Sequence, residues 1–360
     1  MQRVLLLGPA RTAVSGVATH LNQLFGSELA SRFRLFQFQV GSEGRSEGRA
    51  GVLMRVILSP FTFAACMLHT RPRIVHINTS FEPKGYWRDL IYLTLAKLAR
   101  RKVVYQIHGG ALPAEFFAGN AALTAFLRRV ISCPDAVVLL ATSELRAYRE
   151  FAPRARLVRI ANAVAPCEPD LRAERYVNSD PLAVAYLGRL AANKGIFETL
   201  EAMRILRERG IAARLTIAGS GAAAAAVRAR IAAGGLEDCV HFAGAVFGAE
   251  KARLWQQSQV LAFPTYHREG LPYSLLEAMS CGVVPVISPV GGIADVMQDA
   301  VQGLFVPPHD AAAVADALQR LAADRALLHR MALAARARVI EQYSVQRLAT
   351  EFAHLYQSLA

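Results

Sequence analysis

The sequence predicts an α/β protein built from two successive doubly wound, Rossmann-like domains. Three observations carry this. The chain has 360 residues, more than a single hydrophobic core organises, so two domains are expected. Short apolar runs alternate with longer helical patterns, the rhythm of a buried parallel sheet with helical crossovers. That rhythm restarts after a break at Ala165–Asp180, which holds Pro166 and Pro169 and is followed by Pro181. Prolines among polar and charged residues mark a linker.

The first series of expected strands is Arg3–Leu7, Arg34–Val40, Ile74–Asn78, Val103–His108, Ala136–Leu140 and Leu157–Ile160. Helical patterns such as Gly16–Ser31 and Arg88–Arg101 lie between them. The second series is Leu182–Leu187, Arg214–Ala218, Val240–Ala243, Val260–Phe263, Val284–Ser288 and Gly303–Val306. Gly195–Arg209 and Ala311–Ala323 read as helices there, and the alanine run Ala222–Ala226 reads as helix by propensity. The expected domains are residues 1–170 and 171–340. A closing segment, 341–360, is expected to be a helix that packs back on the first domain. No period of 20–50 residues repeats, which excludes a solenoid.

Hydrophobic residues make up 53% and charged residues 19%, so the chain can bury large cores and is not a disordered protein. The net charge of +13 points to an anionic partner, be it nucleic acid, a phosphorylated substrate or an acidic membrane. A generally basic, Arg- and Ala-rich proteome would produce the same excess. Cys66, Cys133, Cys167, Cys239 and Cys281 are scattered and form no CxxC pair. That argues against a zinc site or a disulfide framework and fits a reducing compartment. The first apolar run, Val4 to Leu7, is too short for a secretory signal. The apolar stretch Val56 to Leu68, interrupted by Ser59 and Pro60, is too short to span a bilayer. It reads as a buried element in preference to one lying in a membrane interface.

In open α/β sheets, ligands bind beyond the carboxyl ends of the strands. The segment Phe263-Pro-Thr-Tyr-His-Arg-Glu-Gly-Leu-Pro-Tyr-Ser-Leu-Leu-Glu-Ala-Met-Ser-Cys-Gly occupies such a place. A strand ends at Phe263, and a helix should begin near Pro272 or Tyr273. A helix N-terminus offers free N–H groups and a partial positive charge to an anion or to sugar hydroxyls. Glu269 and Glu277 beside it can each accept hydrogen bonds from a pair of hydroxyls. The plainer alternative makes Glu277 a cap of its own helix and Glu269 a solvated loop charge. A second segment, Tyr186-Leu-Gly-Arg-Leu-Ala-Ala-Asn-Lys-Gly, sets Arg189 and Lys194 around a turn after a strand. Fixed cations there would stabilise charge developing on a leaving diphosphate; otherwise they are ordinary surface cations.

The Glu269–Gly282 segment resembles the signature of the retaining glycosyltransferases of family 4, within the GT-B fold of the bacterial polysaccharide-type group 1 enzymes. Those proteins carry two glutamates separated by seven residues, the second leading into Ala-Met-x-x-Gly. Here the matching positions are Glu269, Glu277, Ala278, Met279 and Gly282. The resemblance implies two Rossmann-like domains facing a central cleft, with the first taking the acceptor and the second the nucleotide-sugar. It implies that Glu269 positions the donor sugar and that Glu277 binds the ribose. Backbone amides of Gly270, Leu271 and Tyr273 would lie near the sugar or phosphates, with Arg189 and Lys194 on the diphosphate. Many members have Gly-Phe-Gly after the first glutamate, whereas this chain has Gly270-Leu271-Pro272, and Pro272 removes one N–H donor.

Further segments are matched more loosely. Ile217-Ala-Gly-Ser-Gly resembles the family's glycine turn beside the nucleotide, through Gly219. Phe242-Ala-Gly-Ala-Val-Phe resembles the nucleobase segment, through Gly244 and Val246. Ser15-Gly-Val-Ala-Thr-His20 stands where the family has a Gly pair, so Gly16 would approach a donor phosphate and His20 reads as a structural histidine. His108, at a strand end, would face the cleft and hydrogen-bond the donor sugar or a phosphate.

No Asp-x-Asp occurs, so metal independence is expected, with no cofactor beyond the UDP- or GDP-sugar donor. The resemblance implies a hexosyltransferase that acts by retention on a glycan or polyprenyl-diphosphate-linked acceptor in surface polysaccharide biosynthesis. Lys84, Arg88, Arg100, Arg101, Lys102, Arg128 and Arg129 make the first half basic, which suits an anionic membrane or a lipid diphosphate. The expected place is therefore the cytoplasm, peripheral to the inner face of the membrane. A nicotinamide-dependent oxidoreductase would need GxGxxG after the first strand, and Gly8-Pro-Ala-Arg-Thr-Ala fails it. GxxxxGK[ST] is absent too, and no nucleic-acid-binding motif occurs. A non-catalytic sugar-nucleotide-binding homologue is the remaining alternative, against which Arg189, Lys194, Glu269 and Glu277 all stand.

Overall fold

The computed structural model describes residues 1–169, 171–177 and 180–359, with the backbone alone at residue 49. Positions 170, 178 and 179 of the expected linker, and the last residue of the closing segment, lie outside the described residues. The chain divides into two units, Met1–Ala163 with Val345–Ala360, and Val164–Ser344. The sequence expectation set the joins at 170/171 and 340/341.

The first unit holds a six-stranded sheet of β1 (Arg3–Gly8), β2 (Arg34–Gln39), β3 (Ile74–Phe81), β4 (Lys102–Gly110), β5 (Ala136–Leu139) and β6 (Leu157–Arg159). All its pairings are parallel, in the order β2-β1-β3-β4-β5-β6. The strands are apolar on both faces because both faces are covered. One face puts Leu5, Leu7, Val75, Ile77, Tyr105 and Val137 into a core. The alternate residues Val4, Leu6, Ile74, Val104 and Val138 form a second core with Leu348, Phe352 and Tyr356 of the last helix, Val345–Ser358. The last helix thus completes the first unit.

The second unit repeats the pattern with β7 (Leu182–Leu187), β8 (Ala213–Ala218), β9 (Val240–Gly244), β10 (Val260–Phe263), β11 (Val284–Ile287) and β12 (Leu304–Phe305). Its order is β12-β11-β10-β7-β8-β9, again parallel. In each sheet the chain builds to both sides of its first strand. The reversal leaves a crevice at the carboxyl ends of β1 and β3 in one unit, and of β7 and β10 in the other.

Three local expectations need correction. The pattern Gly16–Ser31 is two helices, Gly16–Gly26 and Leu29–Arg32, because the Ser27 hydroxyl and N–H turn back to the Leu24 carbonyl and close the first. The apolar stretch Val56 to Leu68 is not short, and apart from Phe63 and Met67 its large side chains are largely uncovered. It belongs to a 22-residue helix, Arg49–Thr70, that runs through Pro60. Its segment Ala50–Thr70 is long and apolar enough, by length and composition, to cross a membrane, with only 11% of that window buried. Finally, Cys167 and Cys281 are joined by a disulfide across 114 residues of sequence. So long a separation leaves no spacing signal, and the pairing removes the basis for inferring a reducing compartment.

Candidate functional site

In the second unit the crevice is built by loops stapled to one another. Beyond β7 the chain makes one turn of 3-10 helix, Ala192–Lys194, and enters the helix Ile196–Glu208 through Gly195. Gly195 has φ +76°, and a Cβ there would collide with the Pro264 carbonyl. Only glycine allows so close an approach without strain. The Asn193 carbonyl accepts the N–H groups of Tyr266 (3.1 Å) and His267 (2.9 Å) and the Thr265 hydroxyl (3.3 Å). From below, the Tyr186 hydroxyl donates to the carbonyls of Lys194 (3.2 Å) and Arg189 (3.4 Å). Burial, with Glu269 nearby, pushes that phenol far above its ordinary pKa, so it stays a donor.

The product of this stapling is an ion pair between Lys194 Nζ and Glu269 Oε1, only 12% and 14% exposed. Low exposure strengthens the attraction and makes either group costly to leave alone. Gly292 N–H donates to the Glu269 carbonyl at 3.0 Å, so the loop after β11 also holds this residue. Arg189 lies on the same turn and is exposed. Among the described residues its guanidinium has no side-chain partner.

Glu277 sits in the helix Tyr273–Ser280, which begins after Pro272 at the N-cap. Its Oε1 accepts from Lys251 Nζ at 2.7 Å. Lys251 belongs to the helix Gly248–Gln257, which opens just after Gly244 and Val246. The Gly219 N–H donates to the Gly244 carbonyl at 2.7 Å. Gly219 itself packs so tightly on the Gly188 carbonyl that a Cβ would collide there. Arg189, Lys194, Gly219, Val246, Glu269, Gly270 and Leu271 therefore lie in the segments that follow neighbouring strands of one sheet, with Gly244 at the end of β9 and Glu277 within the helix after β10. Gly270 and Leu271 are buried.

His108 and Gly16 belong to the first unit. The Asn78 amide donates to the Leu7 carbonyl at 3.0 Å, which turns its Oδ1 toward His108 Nε2 at 2.9 Å. Asn78 Oδ1 can only accept, so Nε2 carries the imidazole proton and Nδ1 keeps a lone pair. His20 lies edge-on to His108 at 4.9 Å between ring centroids. His76 is held by the Tyr356 hydroxyl (2.7 Å) and Gln106 Oε1 (3.0 Å). Burial draws the pKa values of His20 and His76 down to about 3, and that of His108 well below its ordinary value, each histidine also opposing charge on the next. All three are neutral at neutral pH. His20 is fully buried, in keeping with its reading as a structural residue. Gly16 opens the helix Gly16–Gly26, and Ser15 is its N-cap, accepting from Ala18 N–H at 3.3 Å. The serine in the expected Gly pair thus has a local reason.

Sequence reasoning missed Lys251, Asn193, Tyr186 as a support, and Asn78. The Gly291-Gly292 pair after β11 was a readable signal, since glycine pairs at strand ends mark close backbone approach. Lys251 has none, because an isolated lysine near a helix start looks like any surface cation.

Two parallel, doubly wound units of this kind are the GT-B fold, and comparison with solved structures agrees. Sucrose-phosphate synthase of Thermosynechococcus elongatus matches with a TM-score of 0.81 at 20% identity, over 100% of this chain and 99% of that one. HepE of Anabaena, solved in complex with UDP-glucose, matches with a TM-score of 0.76 at 15% identity, over 99% and 100%. Residues 168–338 match the family model described as glycosyl transferases group 1. The amylovoran biosynthesis glycosyltransferase AmsK of Erwinia amylovora is 33% identical over 185 residues, covering 50% of this chain and 46% of AmsK. The GDP-mannose:cellobiosyl-diphosphopolyprenol alpha-mannosyltransferase of Xanthomonas campestris is 34% identical over 139 residues, covering 38% of this chain and 36% of that protein. The chain spans about half or less of the length of these curated relatives.

Proposed function

We propose that this chain is a retaining, metal-independent hexosyltransferase of the family 4 type. It moves a sugar from a UDP- or GDP-sugar to a glycan or polyprenyl-diphosphate-linked acceptor in bacterial polysaccharide assembly. The observation that carries the reading is the nearly buried Lys194–Glu269 pair at the crevice between β7 and β10, in the same segment as Arg189, which has no side-chain partner among the described residues. Relatives named for polysaccharide biosynthesis and for a GDP-mannose-dependent, diphosphopolyprenol-directed transfer support the substrate class. A fold neighbour solved with UDP-glucose supports the donor type.

In this mechanism Arg189 and Lys194 hold the donor diphosphate and stabilise the charge it gains as the sugar C1–O bond breaks. Glu269 accepts from sugar hydroxyls and orients the ring, while Glu277, fixed by Lys251, accepts from the ribose. Gly219, Gly244 and Val246 line the nucleotide, and Gly270 and Leu271 approach the sugar and phosphates. Within the first unit, neutral His108 can accept a hydroxyl through Nδ1. The acceptor oxygen bonds C1 on the face that the diphosphate leaves. Its proton passes to a diphosphate oxygen, so no separate base is needed. Support for a metal-free reaction is twofold. These cations would neutralise the leaving group, and the sequence carries no Asp-x-Asp pair.

The test is donor turnover across a panel of UDP- and GDP-sugars, with and without EDTA. Turnover of at least one donor, unchanged by EDTA, is expected, with an α-linked donor giving an α-linked product. Complete loss in EDTA would sink the metal-free mechanism, and an inverted product would sink retention.

A further inference from the structure

The helix Arg49–Thr70 fits neither role that an apolar helix usually has in a soluble protein. Apolar side chains on all sides mean burial in a core or in lipid. Its C-terminal half is anchored. Phe63 and Met67 are buried in the core, and the Phe63 ring lies 5.3 Å from Phe38 and 5.1 Å from Tyr92. Ser59 hydrogen-bonds Tyr92 of the neighbouring helix Pro83–Leu98 at 2.5 Å. The first half is not covered. Val52, Leu53, Met54, Val56, Ile57 and Leu58 are all exposed, and so is Phe61 at 70%. The helix Pro83–Leu98 adds a stripe at helical spacing, Trp87, Ile91 and Leu98, all exposed.

We propose that this pair of helices is a membrane-docking surface, on which the first turns of Arg49–Thr70 lie in the plane of an anionic bilayer. Spanning is excluded, because it would draw Phe63 and Met67 out of their core. Charge selects a lipid surface of negative sign over a second protein copy. From Gly48 to Phe81 there is no acidic residue, and residues 50–102 carry nine Lys and Arg against two Asp and Glu, a net of +7 out of the chain's +13. Two copies would bring this excess face to face. Within it Lys97 and Lys102 are held on Asp135. Arg71, Arg73, Lys84 and Arg100 are exposed and carry no ion pair among the described residues. Anionic headgroups reward each such cation near the surface, while the exposed Leu, Ile and Phe side chains enter the acyl boundary as in interfacial helices. An exposed tryptophan beside them suits the headgroup level.

The docking inference stands apart from the catalytic reading, since vesicle binding does not depend on which donor is used. The test is co-sedimentation of the full chain with phosphatidylcholine vesicles, with and without phosphatidylglycerol. Trp87 emission is read in parallel, because Trp255, the other tryptophan, is only 2% exposed. Wild type is expected to bind the anionic vesicles with a blue shift, and to bind neutral ones at least about tenfold more weakly. Leu53→Ser/Ile57→Ser/Phe61→Ser is expected to lower partitioning at least about 30-fold. Lys84→Glu/Arg100→Glu is expected to abolish only the preference for anionic lipid. Both variants should keep the wild-type donor turnover and thermal midpoint, which separates lost docking from lost folding. Three results would overturn the proposal. One is equal sedimentation of wild type and the serine variant. The second is indifference to phosphatidylglycerol. The third is a dimer in vesicle-free solution that the serine substitutions dissociate.

Discussion

Replacing Lys194 by Met separates a structural ion pair from one that handles substrate. With the lysine gone, Glu269 stays 14% exposed with its charge unpaired. Breaking a buried pair from one side costs about 3–5 kcal/mol. Residual solvent access favours the lower end, about 3 kcal/mol. In a unit of this size that lowers the melting midpoint by about 6–12 °C. Turnover falls by about 10²–10³-fold if the ammonium stabilises the leaving diphosphate. Glu269→Gln alone should destabilise by a similar amount, since it strands the lysine. The decisive protein is Lys194→Met/Glu269→Gln, which removes both charges together. Its midpoint should return to within a few degrees of wild type, because no charge is then buried alone. Its kcat should stay at least about 100-fold down. The assays are calorimetry and a coupled assay for released nucleoside diphosphate. A double variant that regains both midpoint and turnover would refute the catalytic assignment and leave the pair a structural one.

Three further outcomes are expected. Glu277→Ala should raise the KM for the nucleotide-sugar about 10–100-fold with a smaller change in kcat, because a ribose contact is made in ground and transition states alike; an unchanged KM would remove the ribose role. The first unit should lose stability in acid. His20 and His76 are buried neutral with pKa values near 3, so the unfolded chain binds more protons below about pH 6.5, and stability present above that pH is lost as pH falls. By pH 4.5 the two together cost the first unit several kcal/mol, on the order of 2–3 for one buried histidine. His20→Leu should flatten the pH dependence of hydrogen exchange in β3 and β4, and an unaltered slope would count against a neutral His20. Peptide mapping without reductant should recover Cys167 and Cys281 in one linked species, and two free thiols in air-purified protein would contradict the pairing.

The alternation of elements was legible because the central strands, such as β1, β5, β10 and β11, are short apolar runs buried on both faces. Val260–Phe263 and Leu182–Leu187 match the structure end to end. Helix ends were less legible, as at Ser27, where one hydroxyl decides whether the helix continues. The helix Arg49–Thr70 failed for a different reason. Apolar composition shows that a segment avoids water but not what covers it, and Pro60 disguised its length. At the candidate site, the residues carried by local motifs were visible, Glu269 and Glu277 through their spacing and Lys194 through its turn. Lys251, Asn193 and Asn78 were not, because each acts across the sheet on a residue distant in sequence. Such pairings depend on strand order, and the strand order was not in the motif.

The pairing of charges sharpens the roles within the proposed site. Lys194 is neutralised by Glu269 and Lys251 by Glu277. Under the proposed function, a nucleoside diphosphate arriving there would meet two internally balanced pairs and Arg189, whose guanidinium has no side-chain partner among the described residues. Electrostatic attraction of the free donor would therefore fall mainly to Arg189, whose planar guanidinium can match two phosphate oxygens at once. Lys194 would serve the leaving group only by sharing itself between phosphate and Glu269, which would tie the carboxylate proposed to orient the sugar to the cation proposed to stabilise its departure. Pro272 fits this division. It stands at the N-cap of the helix carrying Glu277 with φ −70°, so the donor it lacks is its own and not one from Tyr273, Ser274 or Leu275. The departure from Gly-Phe-Gly thus removes one N–H at the mouth of the helix and leaves the first turn's backbone intact.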